Sequence, residues 1–325
     1  MLKSSRTMTE ILKAGKAGIR KAAAALKRGG VVAFPTETVY GLGADGLDPV
    51  ACARIFEIKG RPHFDPLILH ECSAARARRL FSSVPPAAER LMKKFWPGPL
   101  TLVLPKARAV PDIVTAGLKT VAVRVPAGRY ALALIKAAGR PVAAPSANRF
   151  GALSPTTAAH VKRQLAGGPD IILDGGKTRI GVESTIISFE RGVPVLLRPG
   201  GLPLEEIEAA AGPVSAPSRR AYRPAAPGCL KKHYAPQAKL RLIAIGARVK
   251  PSARAAYLAF TNRPAGKWAA VKVLSPSGDL REAAAGLFGA LHALERSGAR
   301  VIYAERVPQH GLGRAIMDRL RRASA

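Results

Sequence analysis

A run of prolines constrains this chain more than any other feature. Between Gly212 and Lys239 lie Pro213, Pro217, Pro224, Pro227 and Pro236, set among Ser, Arg and Ala. Prolines at that spacing rule out both a regular helix and a central strand. The chain is therefore read as one unit over 1–211, an extended, semi-rigid connection over 212–239, and a smaller unit over 240–325. His233 and Tyr234 sit inside the connection, an aromatic pair with polar tips able to fold back onto a surface.

On both sides of the break, short apolar runs alternate with amphipathic ones, which argues for α/β architecture with a mixed sheet in the first unit. Strands are predicted over 31–34, 67–70, 101–104, 120–125, 141–144, 171–173, 184–189 and 193–197. Helices are predicted over 17–26, 50–58, 74–80, 87–95, 130–138, 156–165 and 204–210. Past the break, strands over 240–245, 255–260, 271–274 and 300–304 and helices over 280–297 and 313–322 repeat the alternation. A length of 325 residues suits two domains. Hydrophobic residues make up 48%, much of it alanine, and aromatics only 5%, so the core needs anchors such as Phe34, Phe56, Phe95 and Trp96.

No apolar run approaches the roughly 18 residues of a membrane span, and the basic start of the chain lacks an apolar h-region. Three widely spaced cysteines, Cys52, Cys72 and Cys229, outline neither a disulfide framework nor a zinc site. These features place the chain in the cytoplasm, away from membranes. The formal charge is +31, from 52 Lys+Arg against 21 Asp+Glu. Such a surface attracts anions over about 8 Å at physiological salt. The cations run from Lys3 to Arg322 without a dominant block or an RNA-binding motif, which favours a solvated coat with weak RNA attraction over a dedicated RNA site.

Two runs carry the chemistry. Pro35-Thr36-Glu37-Thr38-Val39-Tyr40-Gly41-Leu42-Gly43 places hydroxyls and glycines after an apolar strand, and Lys59-Gly60-Arg61-Pro62 places two cations just past a helix. Together they suit a polyanion held beside a small polar molecule. Gly41, Gly43 and Gly46 spell G-x-G-x-x-G, with Asp65 about 20 residues on. A dinucleotide fingerprint, however, needs its first glycine at the strand end and its third opening a helix. Here Pro35 to Tyr40 intervene and the helix begins later, at Asp48-Pro49. Gly175-Gly176-Lys177-Thr178 imitates a Walker loop but has Ile171 where glycine is required.

Further candidates follow at Ala143-Ala144-Pro145-Ser146-Ala147-Asn148, where small residues let a ligand approach closely. Ser154, Thr156, Gly181-Val182-Glu183-Ser184-Thr185 and Arg198-Pro199-Gly200-Gly201 complete the set. Each has a plainer reading: Asn148 and Ser154 as helix caps, Ser184 and Thr185 as edge hydroxyls, His70 as a structural or ligand-orienting histidine before a base. No Ser/His/Asp or Cys/His arrangement is present, and the six histidines are scattered. Catalysis would then rest on positioning and charge stabilisation, as in phosphoryl or nucleotidyl transfer.

Taken together, P-T-E-T-V-Y-G-L-G, K-G-R-P with P-L-I-L-H, F-W-P-G-P-L-T, V-R-V-P, A-P-S-A-N, G-x-E-S-T, L-R-P-G and A-P-G-C-L-K-K-H-Y-A-P resemble the Sua5/YrdC/TsaC family in its long form, across essentially the whole chain. The resemblance implies a YrdC-like twisted mixed-sheet domain followed by a smaller Rossmann-like α/β domain. It implies formation of L-threonylcarbamoyl-AMP and pyrophosphate from L-threonine, bicarbonate or CO2 and ATP with Mg2+, serving the t6A modification of tRNA completed by a separate transferase. Thr38, His70, Arg124, Ser146 and Ser184 match family positions around threonine, with Arg124 suited to the carboxylate. Lys59, Arg61, Thr120, Ala144, Ser154, Arg198 and Tyr234 match positions around ATP. Lys59, Arg61, Ser146 and Asn148 form the family's catalytic set, with no metal ligand expected from the protein.

In this expectation Lys59 and Arg61 neutralise triphosphate charge while the connection covers the cavity and Tyr234 reaches ATP. Asp65 departs from the family's neutral amide and puts a carboxylate near the triphosphate. Ala226-Pro227-Gly228 and Cys229 depart at the start of the connection. Two other readings stand beside this one: a salt-dependent RNA sensor, and a carbamoyl-phosphate-using site like that of hydrogenase maturation proteins.

Overall fold

A computed structural model describes residues 8–217 and 233–325. The departures at Ala226 to Cys229 lie outside the described residues. The first body comprises β1 (Glu10–Lys13), α1 (Lys16–Lys27), β2 (Val32–Pro35), β3 (Tyr40–Asp45), α2 (Pro49–Lys59), β4 (Ile68–His70), α3 (Ala74–Arg78), α4 (Pro86–Phe95) and β5 (Leu100–Pro105). It continues through α5 (Asp112–Thr115), β6 (Thr120–Arg124), α6 (Arg129–Ala138), β7 (Val142–Ala143), α7 (Ala158–Gln164), β8 (Ile171–Asp174), β9 (Thr185–Glu190), β10 (Val193–Arg198) and α8 (Leu204–Ala211). The second holds β11 (Lys239–Ile243), β12 (Ala255–Ala259), β13 (Ala270–Val273), α9 (Leu280–Glu295), β14 (Val301–Glu305) and α10 (Gly313–Ala323).

Ten strands form one sheet in the order β1-β8-β2-β3-β7-β4-β6-β5-β9-β10. It is mixed: β1–β8, β8–β2, β4–β6 and β5–β9 pair in parallel and the other neighbours antiparallel. Side chains alternate across a strand, and the sequence uses both faces. Val31 and Ala33 join the core on one face with Ile55, Phe56 and Leu91. Val32 and Phe34 join the other, against Leu26, Leu134 and Ile135 of α1 and α6. Burial on both faces explains why 31–34 reads as a continuous apolar run.

Two strands escape the sequence prediction. β1 is a four-residue edge strand, Glu-Ile-Leu-Lys, with its two apolar residues flanked by charged ones, and β3 holds Gly41 and Gly43 of the apparent fingerprint. β3 runs antiparallel to β2, so those glycines lie in a strand and open no helix. A Cβ on Gly43 would meet Phe34 Cε1 and Val142 Cγ1 at 2.7 Å. Packing, not phosphate binding, demands glycine there.

The second sheet is wholly parallel, in the order β11-β14-β12-β13. Its core extends beyond its own elements to Val39, Leu153, Val182 and Tyr234. Gly181 takes φ +79, and a Cβ there would lie 2.4 Å from the Ala284 carbonyl of α9. The second body thus seats backbone to backbone on the loop that carries Glu183 and Ser184. Among the described residues, no helix is long and apolar enough to cross a membrane.

Candidate active site

One narrow cavity of about 40 Å3 opens where β3, β4, β6 and the 144–146 and 183–184 segments converge, bordered by Thr38, Arg61, His70, Arg124, Ser146 and Ser184. Its remaining border includes Ala144, Glu183, Arg198, His233 and Tyr234. Residues from eight separate stretches of sequence meet there.

Helix α2 delivers the first cations. Asp48 caps it by accepting from Val50 N and Ala51 N, Pro49 opens it, and Gly60 ends it in the left-handed region at φ 60. Lys59 is therefore the last helical residue, and its ammonium turns inward, donating to Ser146 O at 2.5 Å and Asn148 O at 2.6 Å. Burial, reinforced by Arg61, holds the Lys59 amine well below the ordinary lysine range. Beyond the glycine, Arg61 donates to Asp65 O at 3.0 Å and Pro66 O at 2.7 Å and lies 2.9 Å from the Asp65 carboxylate. That ion pair is off hydrogen-bond alignment, since neither Asp65 oxygen accepts a hydrogen bond. Burial raises the Asp65 carboxyl above its usual range, opposed by Arg61.

On the opposite wall Arg124, at the end of β6, donates to Gly98 O at 3.1 Å and Thr38 Oγ1 at 2.9 Å, and pairs with Glu37 at 2.7 Å. Glu37 also accepts from Ala127 N at 2.9 Å and Gly128 N at 3.3 Å. Burial works against the Glu37 charge, but Arg124 outweighs it and the pKa falls below the usual carboxylate value. His70 shares a 3.2 Å hydrogen bond with Ile68 O through Nδ1. A carbonyl only accepts, so Nδ1 carries the proton. Burial, then Arg124, pushes the His70 pKa down to about 3, leaving a neutral ring.

The third wall is shared with the second body. Glu183 accepts from Ser154 Oγ and, at 2.6 Å, from Arg319 Nε of α10. Arg319 is fully buried, donates to Pro199 O at 3.0 Å and lies 4.9 Å over the Tyr234 ring. Tyr234 itself is 1% exposed, at φ 60, packed between His233 at 4.1 Å and Phe288 at 5.8 Å. Ser184 Oγ bonds Thr101 Oγ1 at 2.8 Å, and Arg198 donates to Ser184 O at 2.9 Å. Such an arrangement of cations, hydroxyls and a neutral imidazole can bind anions and orient them; it presents no activated nucleophile.

Comparison with known proteins agrees. Residues 24–200 match the Sua5/YciO/YrdC family, described as "Telomere recombination", and residues 202–325 match the family described as "Threonylcarbamoyl-AMP synthase, C-terminal domain". The chain belongs to the Sua5/YciO/YrdC family. It is 48% identical to the threonylcarbamoyl-AMP synthase of Pyrococcus abyssi over 319 residues, 94% of each chain. Identity to the threonylcarbamoyl-AMP synthase of Bacillus subtilis is 44% over 331 residues, 98% of this chain and 96% of that one. The crystal structure of P. abyssi Sua5 complexed with L-threonine superposes with a TM-score of 0.88 at 43% identity, covering 98% of this chain and 97% of that one.

With the family established, the predicted site residues sort into three groups. Thr38, His70, Arg124, Ser146, Ser184, Arg61, Ala144, Arg198 and Tyr234 border the one cavity. Lys59, Asn148 and Ser154 stand just behind it. Lys59 binds the 146–148 turn, its ammonium donating to the carbonyls of Ser146 and Asn148. Asn148 donates to Arg149 O and Ala152 O, and Ser154 to Glu183. Neither caps a helix, since Thr157 caps α7. Thr120 does not join them. It starts β6 opposite Pro105, about 13 Å along the strand from Arg124 at the usual rise, and borders a different depression with Val84 and Phe189.

Sequence reasoning passed over Glu37, Glu183 and Arg319 as functional residues. Asp65, expected as a carboxylate near the triphosphate, is buried and enclosed against Arg61. Among the described residues, no group of three or more His, Cys, Asp or Glu is placed to hold a metal ion.

Proposed function

We propose that this chain makes L-threonylcarbamoyl-AMP and pyrophosphate from L-threonine, bicarbonate or CO2 and ATP. The observation that carries the reading is the single cavity in which the threonine-type residues Thr38, His70, Arg124, Ser146 and Ser184 face the phosphate-type residues Arg61 and Arg198, with Ala144 and Tyr234 between them. In this reading residues 1–211 form the catalytic body, 212–239 the connection and 240–325 the C-terminal domain.

The threonine amine attacks the carbon of CO2 and gives up a proton, forming a carbamate. A carbamate oxygen then attacks the α-phosphorus of ATP, and the α–β bridging oxygen departs with pyrophosphate. Arg124 positions the threonine carboxylate, itself held in place by Glu37. Arg61 and Arg198 stabilise the negative charge that grows on the phosphates. Lys59 acts by holding the Ser146 to Asn148 turn. His70, neutral at physiological pH, orients the substrate as an acceptor at Nε2 and is too weak a base to take the ammonium proton. Mg2+ enters with ATP, since Asp65 and Glu183 are engaged by Arg61 and Arg319.

A cavity of about 40 Å3 is far below the roughly 300–1,000 Å3 of small-molecule sites. In this reading the bordering residues His233 and Tyr234 give way as the substrates enter. The product, a mixed carbamic–phosphoric anhydride, is consumed by a transferase that acts on tRNA adenosine, and the reaction takes place in the cytoplasm.

The test is pyrophosphate release from ATP by the purified full chain. Release should require both threonine and bicarbonate and should be lost in Arg61→Ala and Lys59→Ala. A folded chain that releases none, or that prefers carbamoyl phosphate, refutes the reading.

A further inference from the structure

A second cavity, in the C-terminal body, is about 500 Å3, within the range of small-molecule sites. Its place in the fold is informative. Ligands of open α/β sheets bind beyond the carboxyl ends of the strands, where neighbouring strands send the chain in opposite directions. Here β12 leads outward to β13, whereas β14 leads to α10, which packs on β11 and α9. The cavity sits over that switch, formed by the loops after β11 and β12 and by Glu305 at the end of β14.

We propose that this cavity binds a nucleoside phosphate, with the base against Trp268 and the phosphate between Arg248 and Arg263. Trp268 is a fixed plate: its indole N–H donates to Ala265 O at 3.0 Å, and its ring meets Tyr257 at 5.1 Å and Tyr303 at 6.2 Å. The N–H is thus engaged, and what remains to offer is ring surface, the part that stacks on a base. Arg248 and Arg263 come from the two different loops, are exposed, and have no carboxylate partner among the described residues. Guanidinium groups in that state match phosphate oxygens.

The acid in the cavity does not oppose this. Glu305 is 4% exposed and accepts from Gly246 N at 2.9 Å, Tyr257 Oη at 3.0 Å and Phe260 N at 2.7 Å. Its charge is engaged in tying together the starts of both loops. Asn262, on the second loop, supplies an amide for a base edge. The proposal goes beyond the reaction above and stands or falls without it.

A nucleoside phosphate can arrive free or as part of a single-stranded RNA. The full chain has two tryptophans, and Trp96 is buried in the first body with its N–H on Leu100 O, so Trp268 is the responsive fluorophore. The experiment titrates the chain with AMP in one arm and with a six-nucleotide oligoadenylate in the other, following fluorescence and equilibrium dialysis. The expected result is saturable quenching in at least one arm, absent in Trp268→Phe. By dialysis, Arg248→Ala/Arg263→Ala should weaken binding of that probe about tenfold or more, with threonine-dependent pyrophosphate release unchanged. Saturation by AMP alone identifies a free nucleotide and saturation by the oligomer alone an RNA strand. No saturation in either arm, or binding indifferent to the double arginine variant, overturns the proposal.

Discussion

Replacing Arg319 by methionine tests how the second body is coupled to the cavity. Arg319 is fully buried on α10, and its guanidinium serves Glu183, Asp318, Pro199 O and the face of Tyr234 at once. Methionine fills much of the volume but leaves Glu183, whose side chain is 8% exposed, without its principal counter-charge. Breaking a buried pair from one side costs about 3–5 kcal/mol. For a chain of this length, at about 2.1 cal/mol/K of unfolding entropy per residue, that is a Tm lower by about 4–7 °C. Burial disfavours the Glu183 charge while Arg319, then Arg198, keep its pKa below the usual carboxylate range. In the variant the carboxyl should therefore rise and take up a proton, softening the loss at low pH. Removing both charges with Glu183→Gln/Arg319→Met should recover about 1–3 kcal/mol relative to the sum of the single variants. Thermal unfolding of the four proteins supplies the cycle. Pyrophosphate release should fall even where the single variant is folded, because Tyr234 loses the cation over its ring. Additive single effects, or a single variant within 1 kcal/mol of the parent protein, refute the coupling.

Stability should fall on acidification in a way that depends on histidine. His70 and His233 are enclosed with pKa values pushed down to about 3, and His292 to about 4, in each case chiefly by burial, whereas an unfolded histidine titrates near 6.5. The unfolded chain then binds the extra protons, so stability is full above about pH 6.5 and is lost as pH drops toward 3–4, by up to about 1.4 kcal/mol per pH unit for each fully enclosed histidine. A Tm unchanged between pH 7 and pH 5 contradicts this. Gly43→Ala should destabilise by about 1–3 kcal/mol, the range for overpacking, because Phe34 and Val142 sit 2.7 Å from the new methyl. A melting curve matching the parent's would show that β3 yields where the packing says it cannot.

Much of the architecture was legible because burial on two faces writes itself as apolar runs. The runs 31–34, 171–173 and 255–260 read as strands for that reason, and the start of α2 is legible in Asp48-Pro49, whereas its end is predicted at 58 and lies at Lys59, capped by Gly60. β3 was illegible because glycine disfavours strands in general. Its glycines answer to neighbours that pack through the sheet from β2 and β7, and local sequence does not announce them. β1 is hidden because none of its four residues is fully buried and its apolar content is a single Ile-Leu pair.

The site divides along a different line. Residues that touch the cavity came in hydroxyl- and cation-bearing motifs, and those could be recognised. The pairings that hold them could not, because Glu37 and Arg124 are far apart in sequence, and Glu183 and Arg319 come from different bodies. The sharpest case is Lys59 and Arg61, two cations two residues apart that sequence alone treats as a pair. Gly60 separates them. By taking the left-handed conformation at φ 60, it ends α2 with Lys59 still directed into the turn beneath the cavity and releases Arg61 onto the cavity wall. Lys59 thereby ties Ser146 O and Asn148 O, while Arg61 borders the cavity and is held by Asp65 O, Pro66 O and the Asp65 carboxylate. Different partners for two neighbouring cations follow from where the helix stops, and only the folded chain reveals it.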